Sequence, residues 1–423
     1  MNHLKNLYHY SLALLGSIIY RNPSRDIVVV GITGTKGKTT STELLRAVLM
    51  GAGKKTAMLS SANIAYGEEI KPTPFHNTMP GRFFIQKFLR EAVKKGCTHA
   101  VFEVTSQGVV QHRHRFIDFD VAALTCLHPE HIESHGSYEA YRGAKVKFFK
   151  DVATLSKKAH KHFFINTETG GDAQFFEESV RHPVGAGNFG EVHFYNKESF
   201  VKNELGGDIS RVSSWLQSDF NLQNAALVFE IAKALGCSSE SVIGTYSKFA
   251  GVAGRMEFVS PPAGRGEASA LPAVLIDAAL TPGSLRALYQ HLSASYDLQP
   301  LHQGPGRLIA VFGSAGGGRD KWKRPELGAI ADEFCQKIYL TTDDPYDESA
   351  EQIAKDIAGG IKNKEKYQII LSREEAIRSA IKSAGEKDVV AITGMGSQTK
   401  TYGPKGSEQD WSDAAVVRRI LGV

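Results

Sequence analysis

The decapeptide GITGTKGKTT, residues 31–40, is the stretch of the sequence best suited to chemistry. A phosphate group needs glycines for close backbone approach, amide N–H groups that face the anion, and a helix N-terminus behind them. The stretch joins the apolar run DIVVVGIT to the helical pattern TTSTELLRAVLMGAG, so it lies at a strand-to-helix junction. We therefore predict a nucleotide-phosphate site in which Lys38 reaches the terminal phosphates and Thr39 ligates Mg²⁺.

The glycines of this loop do not follow the common pattern G-x-x-x-x-G-K-[ST]. That pattern requires a glycine where Ile32 stands, whereas Gly31 is too early and Gly34 too late. The sequence also contains no guanine-reading N-K-x-D motif. A P-loop kinase or GTPase is therefore the less favoured interpretation.

The segments around the loop alternate between strand-like and helix-like patterns. The strand-like runs include DIVVVGIT, KKTAMLS, HAVFEVTS, DVAALTCL, HFFINTE, AVLIDAAL, GRLIAVFGSAGG, KIYLTT and DVVAITGMGS. The helix-like stretches include TTSTELLRAVLMGAG, RFFIQKFLREAVKKGC, NLQNAALVFEIAKALG, ELGAIADEFC and EEAIRSAIKSA. This alternation predicts an α/β protein with two open parallel sheets covered by helices on both faces. Residues 261–272 resemble a loop inserted between two strands.

Length and composition favour a globular protein of two or three domains. The chain has 423 residues, of which 42% are hydrophobic and 22% charged, and its net charge is +5. This weakly basic balance suits small anionic substrates and gives no reason to expect nucleic acid. The four cysteines form no C-x-x-C pair, so we expect reduced thiols in a cytoplasmic protein: Cys97, Cys126, Cys237 and Cys335.

Residues 7–20 form an apolar stretch that is shorter than the ~18 residues a membrane span needs. We predict a short helix that packs on the protein, with contact to a membrane surface as the alternative, and no transmembrane segment.

Seven stretches together resemble the Mur ligases and their folylpolyglutamate synthetase relatives. They keep the family's order and spacing from about residue 26 to about residue 400. They are GITGTKGKTT, FEVTSQGVVQHR (102–113), LTCLHPEHIESHGSYEAYRGAK (124–145), FNLQNAA, GRMEF, DAALTPGSL and VFGSAGGGRDKWKRPELGAIA. Within the family the blend is most similar to the tripeptide synthetase branch, which extends UDP-N-acetylmuramoyl-L-alanyl-D-glutamate by a third amino acid.

The resemblance implies an ATP- and Mg²⁺-dependent ligase of peptidoglycan precursor synthesis. The substrate carboxylate would take the γ-phosphoryl group, and an amine would then displace phosphate from the acyl phosphate. It also implies a P-loop-type Mur ligase central domain at 26–253 after a short helical segment at 1–25. A Rossmann-like α/β C-terminal ligase domain would follow at 254–423.

The resemblance assigns roles to individual residues. Catalytic roles fall to Lys38, His131 and Lys145, and Lys145 is expected to be carbamylated. ATP would contact the loop residues Gly34, Thr35, Lys36, Gly37, Lys38, Thr39 and Thr40, and also Asn221 and Asn224 at the adenine, Arg255 at the phosphates and Asp277 at the ribose. The metal ligands would be Thr39, Glu103, His131 and carbamylated Lys145. The muramyl peptide would contact Thr78, Thr105, Gln111 and Arg113. The acceptor amino acid would contact Arg319, Asp343, Asp344, Gly394 and Gln398.

Several positions depart from the family pattern. Lys36 stands where asparagine is usual, and Glu130 replaces the usual aspartate. Tyr346 replaces the arginine, and Gln398 the glutamate, of enzymes that use meso-diaminopimelate, so the acceptor stays open. Only about thirty residues precede the loop, where relatives carry a uridine-binding domain of roughly a hundred residues.

Two alternatives within this fold therefore remain. One is a glutamate ligase of the folylpolyglutamate type, which the short N-terminus favours. The other is a nucleotide-binding paralogue without ligase activity, which the altered C-terminal motifs favour.

Overall fold

The computed structural model describes residues 3–75, 78–130, 132–181, 190–260, 271–299, 305–318 and 320–423. The chain divides into two compact units, unit 1 (Met1–Ala250) and unit 2 (Gly251–Val423). This division falls three residues before the expected boundary between 253 and 254. Most of the expected inserted loop, residues 261–270, lies outside the described residues.

Unit 1 contains an eight-stranded sheet with the strand order β4-β3-β2-β5-β1-β6-β7-β8. Its strands are β1 (Val28–Thr33), β2 (Thr56–Leu59), β3 (Asn63–Tyr66), β4 (Glu69–Pro72), β5 (His99–Glu103), β6 (Val121–Leu124), β7 (His162–Asn166) and β8 (Glu191–Tyr195). Its α-helices are α1 (His3–Ile19), α2 (Lys38–Gly51), α3 (Arg82–Lys94), α4 (Ser106–Val110), α5 (Ile132–His135), α6 (Tyr138–Leu155), α7 (Ala173–Arg181), α8 (Lys197–Asn203), α9 (Asp219–Ala234) and α10 (Ser239–Tyr246).

Side chains of the central strands alternate between two cores, one on each face of the sheet. Val29 of β1 packs in the core that contains α3 and α6, whereas Val30 and Ile32 pack with α2 and α9. Successive side chains of a strand point to opposite faces, so a strand covered on both sides is apolar throughout. The α/β fold with helices on both faces is therefore confirmed for this unit.

Unit 2 has a second sheet with the order β14-β13-β12-β15-β10-β9, and β11 pairs with β12. Its strands are β9 (Glu257–Ser260), β10 (Ala273–Asp277), β11 (Leu298–Gln299), β12 (Gly306–Phe312), β13 (Lys337–Leu340), β14 (Tyr367–Ile369), β15 (Val389–Thr393), β16 (Lys400–Tyr402) and β17 (Glu408–Asp410). Its α-helices are α11 (Pro282–Ser295), α12 (Lys323–Phe334), α13 (Ala350–Ala358), α14 (Arg373–Ser383) and α15 (Asp413–Leu421).

The parallel sheets carry antiparallel strands that the sequence patterns did not predict. In unit 1, β2 pairs antiparallel with β3, and β3 pairs antiparallel with β4. The β3–β4 connection is a tight turn in which Gly67 has a φ of +64°, a backbone conformation that favours glycine. In unit 2, β9 pairs antiparallel with β10. Strands β4 and β9 lie at the sheet edges and β3 lies next to β4, and an antiparallel strand can be joined to its neighbour without a crossover helix.

The apolar stretch at residues 7–20 lies almost entirely within the 17-residue helix α1. Its Ala13 and Ser17 are buried, and Gly16 faces α3, while eight large apolar side chains are exposed: Leu4, Leu7, Tyr8, Tyr10, Leu14, Leu15, Ile18 and Ile19. Among the helices that the structure describes, none has both the length and the apolar character required to cross a membrane. Contact of this face with a membrane surface stays a prediction.

A buried ion pair joins α14 to α15 in unit 2. Arg373 Nε lies 2.8 Å from Asp413 Oδ1, and Arg373 Nη2 lies 2.7 Å from Oδ2. Arg373→Met is expected to lower the free energy of unfolding by about 3–5 kcal/mol, because Asp413 stays buried without its cation. Urea unfolding followed by tryptophan fluorescence measures this difference.

The control is Arg378→Met on the same helix. Arg378 is exposed, and its ion pair with Glu374 at 2.9 Å is a surface pair, so the expected change is within about 0.5 kcal/mol. If Arg373→Met and Arg378→Met lowered the free energy of unfolding equally, the buried pair would make no larger contribution to stability than the surface pair.

Candidate active site

The phosphate-binding loop connects β1 directly to α2, and its glycines lie against other segments. Gly34 has a φ of +149° and Gly37 a φ of +82°. A Cβ atom on Gly34 would lie 1.8 Å from Thr125 Oγ1, and one on Gly37 would lie 2.2 Å from Asn224 Oδ1. Only glycine therefore fits at either position. The loop leads into the N-terminus of α2, where the first N–H groups of a helix have no intrahelical partner and can bind an anion.

Lys38 folds back over this loop. Its Nζ donates to the carbonyl oxygens of Gly34 at 2.9 Å and Thr35 at 3.1 Å, which uses two of the three ammonium donors. Burial lowers the pKa of Lys38, although Glu103 and Glu130 oppose the shift. The ammonium group is thus held at the anion-binding face of the loop.

Thr39 and Glu103 form a compact set of oxygen donors at the carboxyl ends of β1 and β5. Thr39 Oγ1 donates to Glu103 Oε1 at 2.9 Å and lies 2.7 Å from Ser61 Oγ. Glu103 is buried, and Ser61 donates to its Oε1 through both the backbone N–H, at 2.7 Å, and the hydroxyl, at 3.1 Å. Hard oxygen donors of this kind fit Mg²⁺.

Lys145 reaches the same loop from α6. The residue is buried, and its Nζ donates to Gly34 O at 2.8 Å and lies 4.7 Å from the centre of the Tyr141 ring. Burial, helped by the charge of Lys38, lowers the pKa of Lys145 well below its usual value. More of the Lys145 side chain is therefore the neutral amine than in an exposed lysine, and the neutral amine is the form that can take up CO₂.

Two residues that depart from the family pattern, Lys36 and Glu130, form an ion pair in the structure. Lys36 Nζ lies 2.9 Å from Glu130 Oε1, and the carboxylate is buried. The Lys36 backbone N–H also donates to Cys126 Sγ at 3.3 Å. Lys36 is therefore paired inside the protein.

The two asparagines of α9 lie at different distances from the loop. Asn224 Oδ1 accepts a hydrogen bond from Ser41 Oγ at 3.3 Å and faces Gly37. Asn221 Nδ2 donates to Trp215 O at 2.9 Å. Asn224 is thus a neighbour of the phosphate loop itself, while its predicted contact with adenine stays a prediction.

A second polar cluster in unit 1 combines residues of α3 with the end of α4. Arg113 donates to Gln111 Oε1 at 2.7 Å and to Met79 O. Arg82, which the sequence patterns did not single out, donates to Gln111 O at 3.0 Å. Burial lowers the pKa of both guanidinium groups, and Arg113 adds to the shift of Arg82. Within the described part of the chain, neither guanidinium group forms an ion pair with a carboxylate.

The two threonines predicted for the muramyl peptide lie near this cluster in sequence. Thr105 caps α4, and its side chain accepts from Gly108 N at 3.0 Å. Thr78 is half-buried and lies next to Met79, the acceptor of an Arg113 bond.

In unit 2, the strand ends of β10, β13 and β15 bring together several predicted residues. Asp277 accepts from Met256 N at 2.8 Å, and its carbonyl accepts from Gly394 N at 3.1 Å. A Cβ on Gly394 would lie 2.5 Å from Asp343 Oδ2, so the glycine allows Asp343 to approach. Burial raises the pKa of Asp343. Asp277, Gly394 and Asp343 thus share one sheet edge.

The remaining acceptor-site predictions lie in the loops beyond this edge. Asp344 is buried, and its Oδ1 accepts from Tyr402 N at 2.9 Å. Gln398 Oε1 is buried and has no hydrogen-bond partner among the described atoms. Arg255 Nη1 donates to Gly254 O at 3.0 Å and would lie 2.8 Å from a Cβ on Gly396.

Comparison with known proteins tests the resemblance to the Mur ligases. The Mur ligase middle domain matches residues 32–232, and the Mur ligase glutamate ligase domain matches residues 254–396. The UDP-N-acetylmuramoyl-L-alanyl-D-glutamate–2,6-diaminopimelate ligase of Buchnera aphidicola is 30% identical over 421 residues, which cover 97% of this chain and 81% of that protein. The ligase of the same name from Haemophilus influenzae (strain Rd) is 32% identical over 405 residues, or 92% of this chain and 77% of that protein. The chain belongs to the Mur ligase family.

Solved structures show the same fold. A UDP-N-acetylmuramoyl-L-alanyl-D-glutamate–2,6-diaminopimelate ligase aligns with this Mur ligase at a TM-score of 0.56 and 23% identity, covering 94% of this chain and 78% of the other. Mycobacterium tuberculosis folylpolyglutamate synthase, complexed with ADP and AMPPCP, aligns at a TM-score of 0.68 and 15% identity, covering 99% and 95%. The predicted family and fold class are confirmed.

Two predicted site residues of this Mur ligase, His131 and Arg319, lie outside the described residues. The sequence patterns did not predict two further residues of the candidate site, Ser61 and Arg82. Ser61 lies two residues after the end of β2, and the carboxyl end of this strand lies at the same end of the sheet as the loop. That position was the available signal in the sequence. Arg82 begins α3 and gave no motif by which to find it.

Proposed function

We propose that this Mur ligase adds an amino acid to a UDP-N-acetylmuramoyl-dipeptide-like carboxylate, with ATP and Mg²⁺, in peptidoglycan precursor synthesis. The observation that carries the proposal is the phosphate loop with Lys38, Lys145 and the Thr39–Glu103 pair around it. The ligases of Buchnera aphidicola and Haemophilus influenzae are named for a donor of this kind. The four cysteines are free thiols, which agrees with the proposed cytoplasmic location.

The loop supports phosphoryl transfer through position and charge. Its amides and Lys38 would hold the β- and γ-phosphates, so that repulsion between the nucleotide and the donor carboxylate is offset. The carboxylate oxygen attacks the γ-phosphorus and ADP leaves. The acceptor amine then attacks the carbonyl carbon of the acyl phosphate and phosphate leaves, which forms the amide.

Mg²⁺ fits the residues beside the loop. Thr39 and Glu103 supply hydroxyl and carboxylate oxygens 2.9 Å apart, with Ser61 beside them. The predicted ligands His131 and carbamylated Lys145 would complete the set. The ion would neutralise phosphate charge when bound.

The cluster around Arg113 is the proposed donor site. Two guanidinium groups without a described carboxylate partner suit the anionic groups of a muramyl peptide, since arginine binds carboxylates through parallel hydrogen bonds. Gln111 belongs to this cluster, and Thr78 and Thr105, which lie near it in sequence, would add polar contacts to the donor.

Replacing Arg113 by alanine is expected to raise the KM for the muramyl dipeptide about 10–100-fold, because a hydrogen bond to a charged group contributes about 1.5–3 kcal/mol. Arg82→Ala should act in the same direction. Steady-state kinetics with varied donor at saturating ATP measure the effect. Lys87→Ala is the control, since Lys87 is exposed on α3, and an equal rise in that variant would contradict the assignment.

The acceptor site favours an amino acid without specifying its side chain. Tyr346 stands where diaminopimelate enzymes have arginine, and its ring stacks on Tyr402 with centroids 6.1 Å apart. Gln398 offers a neutral amide in place of a carboxylate. We infer that this site does not bind the distal carboxylate and ammonium groups of diaminopimelate through an arginine and a glutamate. Lysine or another amino acid is therefore as compatible with the site as diaminopimelate.

Release of ADP and phosphate from a panel of donor and acceptor pairs tests the proposal. UDP-N-acetylmuramoyl-L-alanyl-D-glutamate with one amino acid should stimulate release and yield the amide product by mass spectrometry. Stimulation by glutamate with a folate instead would favour the folylpolyglutamate alternative, which shares the fold. Binding of ATP without stimulation by any pair would favour the paralogue without ligase activity.

A further inference from the structure

Three metal-ligating side chains meet at the edge of the unit 1 sheet formed by β7 and β8. His162 begins β7, Glu191 begins β8, and His193 lies two residues further along β8. The strands are parallel, with His162 opposite Glu191. Because residues i and i+2 of a strand share a face, Glu191 and His193 project toward the same side. Among the described residues, this is the single group of three or more such ligands within 4.8 Å of one another.

The donor atoms have the spacing of a metal site. His162 Nδ1 lies 3.1 Å from His193 Nε2, and Glu191 Oε2 lies 3.6 Å and 3.7 Å from these two nitrogens. The circle through the three atoms has a radius of about 2.0 Å. An ion close to the plane of the donors would therefore have bonds of about 2.0–2.1 Å, the length of zinc bonds to imidazole and carboxylate.

The surroundings fix the histidines and leave an opening. The His193 ring stacks on the buried Phe164, with centroids 4.6 Å apart and an interplanar angle of 12°. The side chains of His162 and His193 are 17% and 28% exposed, whereas that of Glu191 is 71% exposed. The two imidazoles thus face an exposed carboxylate at a surface that an ion can reach.

We propose that His162, Glu191 and His193 bind a divalent transition-metal ion of the zinc class. The two imidazole nitrogens are borderline donors that favour Zn²⁺ over Mg²⁺ or Ca²⁺, and a carboxylate oxygen is also a common zinc ligand. Water would complete a tetrahedral set. This site lies at the amino ends of β7 and β8, while the phosphate loop follows the carboxyl end of β1.

The bound ion would stabilise the sheet edge. Strand β8 is the last strand in the order and pairs with β7 alone. Ligands from both strands would cross-link them, and binding to the folded form only would stabilise it by mass action. The role of the ion is therefore structural and separate from phosphoryl transfer.

Zinc titration of the full-length, untagged, chelator-treated protein tests the proposal. A chromogenic chelator competes for Zn²⁺ in the presence of excess Mg²⁺, and thermal unfolding is followed in parallel. One Zn²⁺ should bind per chain with a rise in Tm. Affinity should fall at least about 10-fold in His193→Ala and in Glu191→Gln, and the rise in Tm should disappear.

The matched control is His160→Ala, because His160 is exposed two residues before His162 and should leave Zn²⁺ affinity unchanged. Glu191→Gln changes an exposed side chain, so it keeps the test valid if His193→Ala fails to fold. Absence of Zn²⁺ binding to the wild type, or equal affinity in wild type and Glu191→Gln, would overturn the proposal. Substitution by Co²⁺ should give visible absorption typical of tetrahedral coordination in the wild type and in His160→Ala, but not in His193→Ala or Glu191→Gln.

Discussion

Replacing Lys38 by methionine is expected to lower kcat for ADP release at least about 10³-fold. The structure holds its ammonium group over the loop through the carbonyls of Gly34 and Thr35. Methionine keeps most of the side-chain length but supplies no charge, so the negative charge of the transferred phosphoryl group loses a cation that is held at the loop. A coupled assay for ADP, with donor and acceptor at saturation, measures the loss.

Lys54→Met provides the matched control for Lys38→Met. Lys54 follows the far end of α2, three residues after Gly51, and its replacement should leave kcat unchanged. Calorimetry should show that Lys38→Met still binds nucleotide, because the loop amides still offer hydrogen bonds to phosphate. This measurement distinguishes a loss of catalysis from a loss of the binding site. Turnover by Lys38→Met within about 10-fold of wild type would contradict its proposed role.

Replacing Lys145 by alanine is the second change with a large expected effect, a fall in kcat of at least about 10³-fold. The resemblance implies that Lys145 carries a carbamate, and the structure supports this with a buried amine of lowered pKa beside the loop. Alanine removes the carboxylate that would ligate Mg²⁺ and leaves a cavity in its place. A small carboxylic acid such as formate should therefore restore part of the activity.

Two comparisons make the result for Lys145 specific. Lys150→Ala changes an exposed lysine of the same helix and should keep wild-type kcat without formate. Lys145→Met fills the cavity with an apolar chain and should be as inactive as Lys145→Ala but show no rescue. Equal inactivity of Lys145→Ala with and without formate would contradict a carbamate and favour a direct role of the amine.

Local patterns were sufficient for the loop, the family and most of the described elements. The phosphate loop is one continuous segment between a strand and a helix, so its residue types and their order carry the information. The buried strands were recognisable because both faces are covered, which makes them apolar throughout. The β3–β4 hairpin escaped prediction, since its outer strand β4 is exposed along its whole length and lacks that signature.

The pairing of Lys36 with Glu130 shows what such patterns cannot give. In the sequence each residue is a separate departure from the family, 94 positions apart. In the structure the two charges form one ion pair, with Glu130 buried. The two departures thus belong to a single contact beside the loop.

By itself, the sequence determined the phosphate loop, the alternation of strands and helices, and membership of the Mur ligase family, because these depend on neighbouring residues. Only the tertiary structure decided that Ser61 holds Glu103 and that Arg82 lies with Arg113. It also decided that His162 meets two ligands on β8. The contacts of Ser61 and His162 depend on strand order and register, which bring the ends of distant strands together.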